Sequence, residues 1–330
     1  MSTLPDAPSP FLTDIPMQFA WDSTSLGYLK TCPRLYQYIM IEGWSPRDDN
    51  IHLRFGVEYH WAIENFDRLR ASGTEFEDAV RSTVGELLIR TADWDPDILT
   101  KAGRYKNVDT LLQLVIDYFD FFRNDPARTH ILDNGRPAVE LSFKFELDWG
   151  PRSAEGVKFM LCGHLDRIAE LEGSLFVIDH KTTTTTPGQY FFDNFSPNNQ
   201  MTLYALAAQI VVNSPIKGVI VEAAQILLEK PNQFSRGFAL RTQANLSEWI
   251  ADLSSWLDLA ESFATSGHWP MNDTACDKFG QVGLSAKCEA TGELIWLLQQ
   301  DLCGLDNQGR HCHLIVGREV VEEVLPGWLS

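Results

Sequence analysis

A chain of 330 residues with 44% hydrophobic content can bury a substantial core, as one large domain or as a domain with a subdomain. Its net charge of −18 opposes unspecific binding to polyanions, so a nucleic-acid function must rest on a local basic groove, bound cations or a partner protein. No apolar run reaches the roughly 18 residues of a membrane helix, and the opening MSTLPDAPSPFLTDIP lacks the basic and then apolar regions of a secretory signal, so no membrane association and a cytoplasmic location are expected.

Residues 1–22 read as a flexible arm. From Ser23, STSLGYLKTCPRLYQYIMIEGW offers Ser23 or Thr24 as an N-cap and apolar residues at helical spacing, with Pro33 marking a break or a second start. Further helices are expected at about 53–71, 75–89 and 108–122. The pattern then changes to period two: runs at about 138–147, 157–171 and 174–181, the last two joined at Glu172-Gly173, predict antiparallel strands. After a loop of five threonines, Thr182 to Thr186, a helix at about 197–211, a strand near 219–227 and a helix near 246–265 complete the series. The order predicts an α/β fold, a mixed central sheet flanked by helices, with a helical N-terminal subdomain. The expected parts are the arm, a helical region at 23–130, a core at 131–266 and a cysteine-containing region at 267–330 that packs back on the N-terminal helices.

Two residues apart on a strand face the same side, so Asp179 and Lys181 project together while His180 points away. The short turn before that strand brings Asp166 near them, so two carboxylates and an ammonium converge. Taken alone this is also what a salt-bridged strand end looks like. The flanking residues add to it: Gly56, His60 and Glu64 stack on one helix face at spacing four, and Gln200 and Tyr204 do the same further on.

In this order, the G-x-x-x-H helix, a lone Asp, D-x-K and Q-x-x-x-Y resemble the PD-(D/E)XK nuclease superfamily in its RecB-type branch, which includes the nuclease domains of RecB and AddB, exonucleases of CRISPR adaptation and phage-borne relatives. YLKTCPRLYQY, around Cys32, is similar to the start of that branch, and the resemblance runs from about Ser23 to Cys288. It implies a restriction-endonuclease-like core and hydrolysis of DNA, from single- or double-stranded ends, with Mg²⁺ or Mn²⁺. Asp166, Asp179 and Lys181 would be catalytic. Metal ligands would be Asp166, Asp179, the backbone carbonyl of His180 and, through the resemblance, His60, whose nitrogen favours Mn²⁺ somewhat. Lys181 would orient and help deprotonate water or stabilise charge on the phosphate. Gln200 and Tyr204 would be substrate-side or lysine-supporting, and Glu140 an accessory acid. Glu64 would pair with a base or support His60, and Arg167 would neutralise Asp166 or contact phosphate.

Six cysteines without an export signal argue against a disulfide scaffold. Many RecB-type relatives hold a [4Fe-4S] cluster on one early and three late cysteines. Cys32, Cys276 and Cys288 resemble that set, but Gln281-Val282-Gly283 stands where the intermediate ligand is expected. The cluster is then absent, or Cys303 or Cys312 takes the fourth place. Zinc on Cys303, His311, Cys312 and His313 fits no strong spacing pattern, and Cys162 reads as a buried thiol.

The reading is a metal-dependent DNA nuclease, an exonuclease, with an inactive or weak nuclease-fold subunit that binds DNA or a protein partner as the alternative. An iron-sulfur redox protein lacks a G-x-G-x-x-G loop. No G-x-x-x-x-G-K-[ST] loop is present either, so unwinding would come from a helicase, and a recombination or adaptation protein is the other expected partner.

Overall fold

The computed structural model describes residues 10–43, 51–147 and 156–276. In chain order these form β1 (Ala20–Trp21), α1 (Ser23–Thr31), α2 (Pro33–Tyr36) running into a π-helical turn (Gln37–Ile41), α3 (Ile51–Ala71), α4 (Phe76–Arg90), α5 (Lys101–Tyr105) and α6 (Val108–Phe121). Then come β2 (Arg128–Thr129), β3 (Val139–Glu146), β4 (Met160–Leu171), β5 (Ser174–Thr183), α7 (Gln189–Asp193) and α8 (Asn199–Val212). The last are β6 (Ile216–Gln225), β7 (Gln233–Leu240), α9 (Gln243–Ser266) and α10 (Asp273–Cys276). The chain divides into two units, one of Asn50–Lys144 and Cys162–Ile250, the other of Met1–Asp49, Phe145–Leu161 and Ala251–Ser330. No helix among the described residues is long and apolar enough to cross a membrane.

In the first of these units, α3 and α6 carry apolar residues at spacings of three and four. They bury Phe55, Tyr59, Ile63 and Phe66 against Leu111, Leu114, Val115 and Phe119. The rings of Phe66 and Phe119 stack at 4.1 Å. Asn107 starts α6 with a capping box: its side chain accepts from the Thr110 N–H, and the Thr110 hydroxyl accepts from the Asn107 N–H. The β4–β5 hairpin turns at Glu172-Gly173, both at positive φ (51° and 70°), as a two-residue turn between twisted strands requires. β5 pairs antiparallel with β4 and parallel with β6, β6 pairs antiparallel with β7, and β2 and β3 also join β4. The sheet is therefore mixed, as expected.

Register sorts the side chains into rows. Asp179, Val221 and Gly237 lie side by side across β5, β6 and β7, and so do His180, Glu222 and Arg236 on the other face. The α3–α6 layer covers the second face, where the Tyr118 hydroxyl donates to Glu222 at 2.9 Å. α7 and α8 cover the first. There the ring of Phe192 occupies the space a Cβ on Gly237 would need. Gly237→Ala is expected to push α7 off β7 and to destabilise the fold by about 1–3 kcal/mol, read as a lower thermal midpoint with α8 still helical.

In the other unit, α1 is capped by Asp22, whose carboxylate accepts from the Ser25 N–H at 2.7 Å. Pro33 opens α2 at its first position, so the break expected at this proline is real. β1 pairs parallel with Met160 and Leu161. Cys32 is buried with Leu35 and Ala275, and its sulfur accepts from the Asn272 N–H at 3.3 Å.

Candidate active site

β4 and β5 stay paired up to Arg167 and Ile178, and the candidate site lies just past that pair. There the N–H of His180 donates to Oδ2 of Asp166 at 3.0 Å. The same oxygen is 3.2 Å from Nδ1 of His60 on α3. On the Asp179 face of β5, the Lys181 ammonium lies 2.8 Å from Asp179 Oδ2 and donates to Oδ1 at 3.0 Å. It also donates to Gln200 Oε1 at 3.2 Å, and Gln200 in turn donates to the Tyr204 hydroxyl at 2.9 Å. Gln200 and Tyr204 share a face because α8 places residues four apart together. That helix starts where Asn198 caps the Met201 N–H.

His60, Glu64 and Asp166 each offer a ligand atom, and those atoms lie within 4.8 Å of one another. Glu140 reaches the same place from β3, where it adopts a φ of 48°. This left-handed conformation is strained for a residue with a Cβ, a feature that clusters at functional sites. Its carboxylate accepts from Arg68 at 3.0 Å and crowds that of Glu64. Glu64 thus lies beside His60 and shares its place with a second acid as well.

The electrostatics follow from this crowding. Burial, Glu140 and Asp166 push the Glu64 carboxyl up to about 7. Burial opposes charge on Asp166, yet the His60 ring and the His180 N–H hold it well below the usual carboxylate range. Burial raises Asp179, with Lys181 pulling against it and Asp166 adding to it. Burial works against the Lys181 ammonium, but Asp179 more than offsets that and raises it. Burial and Asp179 push the Tyr204 phenol up to about 12, so it stays neutral. Oxygen and imidazole donors packed around partly uncompensated carboxylates suit a hard divalent cation.

Asp166, Asp179, Lys181, His60, Glu64, Glu140, Gln200 and Tyr204 are therefore brought together. Arg167 is not. As the residue after Asp166 on a strand it points to the opposite face, where its guanidinium is buried 3.4 Å from Asp67 and donates to the Ala127 carbonyl at 2.5 Å. It neither neutralises Asp166 nor reaches a substrate from there. Cys162 is half-buried, not buried. Of the cysteines in the iron-sulfur and zinc expectations, only Cys32 has a described side chain. Cys276 ends α10 with its side chain outside the described residues, and Cys288, Cys303, His311, Cys312 and His313 lie outside them altogether.

Sequence reasoning missed the charged cluster beneath the site. Glu222 binds His180 (3.2 Å), Tyr118 and Arg236, and Arg236 forks onto Asp125 at 2.7 and 2.6 Å. The signal was the lone Glu222 within the apolar run VIVEAAQ, a charge that a buried strand tolerates only when paired.

No curated protein gives a significant match. Among solved structures, a Eubacterium rectale protein described as "Putative exonuclease" is similar at a TM-score of 0.45 and 9% identity, over 78% of this chain and 86% of that one. SSO0001 is similar at a TM-score of 0.29 and 13% identity, over 81% of this chain and 85% of that one. The family pattern that matches is that of the PD-(D/E)XK nuclease superfamily, over residues 23–278. That span takes in the His60 helix, Asp166, the Asp179–Lys181 strand and the Gln200 helix, and the chain belongs to the PD-(D/E)XK nuclease superfamily.

Proposed function

We propose that the chain is a divalent-metal-dependent deoxyribonuclease of the RecB-type branch that digests DNA from strand ends. The observation that carries this is the convergence of His60 and Asp166 with the Asp179–Lys181 pair at the point where β4 and β5 part. His60, Asp166, Asp179 and the His180 carbonyl would hold Mg²⁺ or Mn²⁺, with Glu64 and Glu140 beside them. A bound divalent ion supplies charge neutralisation at the phosphate and a more acidic water.

The chain's own groups do the rest. The Lys181 ammonium, kept protonated by Asp179, stabilises charge growing on the phosphoryl oxygens and orients the water. Gln200 fixes the Lys181 rotamer through its amide oxygen, and Tyr204 fixes the amide. An inactive binding subunit would have no use for this arrangement, since buried like charges are costly to keep. The order of Gly56-His60 before Asp166 and of Gln200-Tyr204 after Lys181 supports the RecB-type assignment, and helicase or recombination partners belong to the same proposal.

The end-directed part is tested with linear DNA, single- and double-stranded, beside covalently closed circles in Mn²⁺. Loss of linear DNA with circles left intact is expected. Nicking or linearisation of circles at a comparable rate would replace exonuclease with endonuclease.

A further inference from the structure

Lys106, between α5 and α6, is 7% exposed. Its ammonium lies 3.5 Å from the Thr182 hydroxyl and 5.1 Å from the centre of the Phe55 ring. No described carboxylate stands within ion-pair distance of it, and burial alone lowers it below the usual lysine range. A desolvated cation with a hydroxyl and an aromatic face but no anion is unfavourable unless a ligand supplies the anion.

The surroundings say which anion. Thr182 follows Lys181 on β5, and Phe55 precedes His60 by five residues on α3, about 7.5 Å of helix rise. Lys106 therefore borders both elements that build the candidate active site, on the face of β5 that carries His180. It makes none of the contacts within that site.

We propose that Lys106, with the Thr182 hydroxyl, forms an anion subsite for a backbone phosphate of the bound strand other than the scissile one; this rests on the nuclease reading above. Phosphate contacts of this kind hold the strand in register without reading its sequence.

The test is binding of a 5′-fluorescein oligothymidylate in chelator, by anisotropy across a salt series, for wild type and Lys106→Met. Methionine keeps the length and removes the charge, so the melting temperature should not fall. Lys106→Gln serves as a second variant should the first fail to fold. The expected result is a dissociation constant raised about 3- to 10-fold and a slope of log K against log salt that is shallower by about 0.7, one phosphate on a single strand. Equal affinity and slope in wild type and variant would overturn the subsite, as would a wild type that binds no strand. Inorganic phosphate that competes equally well against both proteins would also count against it.

Cleavage by the wild type in Mn²⁺ is scored in parallel. Cleavage with an indifferent Lys106→Met refutes the subsite and leaves the nuclease reading. Lys106-dependent binding with no cleavage under Mg²⁺ or Mn²⁺ does the reverse.

Discussion

Asp179→Asn is expected to lower cleavage of DNA by at least about 10³-fold while the protein stays folded, because the carboxylate both offers oxygen ligands and holds Lys181. The ammonium lies 2.8 Å from one Asp179 oxygen and donates to the other at 3.0 Å. An asparagine would turn an NH₂ group towards it or leave it with a single neutral acceptor. Burial already raises Asp179, so removing its charge relieves that desolvation. The Lys181 side chain left behind is 28% exposed and keeps Gln200 as an acceptor, so the loss of stability is expected to stay below that of breaking a fully buried pair. Asp166→Asn should lose activity to a similar extent for a different reason. Its Oδ2 meets the His60 ring and the His180 N–H together, and an amide cannot accept from both as well as a carboxylate does. Steady-state cleavage of labelled DNA beside a thermal melt checks both. Substantial cleavage by either variant would mean that the reacting centre lies elsewhere.

Glu222→Ala is expected to show the opposite pattern, a loss of fold stability of about 3–5 kcal/mol, as when one partner of a buried ion pair is removed. Against a total of about 5–15 kcal/mol for a typical domain, that is a large fall, and a thermal or denaturant midpoint will register it. Burial would raise the Glu222 carboxyl, but His180, Arg236 and Arg167 hold it down to about 2, below its ordinary 4.5. A carboxyl depressed by folding stabilises the native state above the ordinary value and loses that contribution as pH falls through the folded one. The wild type should therefore lose this share of its stability between pH 4.5 and about 2, and Glu222→Gln should flatten that part of the curve. An unchanged acid limb in Glu222→Gln would remove Glu222 from the account of stability.

What the sequence revealed followed from short-range geometry. Asp179 and Lys181 share a face because strands alternate, and Gly56, His60 and Glu64, like Gln200 and Tyr204, align because helices return every three or four residues. The β4–β5 hairpin was legible from Glu172-Gly173. The same alternation shows why Arg167 was misplaced: adjacency to Asp166 on a strand means separation, not contact. β7 was not anticipated, because Gly237 interrupts QFSRGFAL and the period-two signal is weak there. The row His180, Glu222, Arg236 depends on a parallel β5–β6 register that no local pattern encodes. Glu64 was expected to pair with a base or support His60 and does lie beside His60, but the second acid that β3 brings to it at Glu140 was not legible, a placement set by one left-handed residue. Lys106 gave no signal, since a lysine between two short helices reads as a surface residue.

The most direct measurement is digestion of end-labelled linear DNA by wild type and Lys181→Ala, each in Mn²⁺, in Mg²⁺ and in EDTA. Wild type should release labelled product with either ion and none in EDTA, while Lys181→Ala, folded to the same extent, should release none above background. Equal product from Lys181→Ala, or undiminished cleavage in EDTA, would contradict a metal-dependent centre built on the Asp179–Lys181 strand.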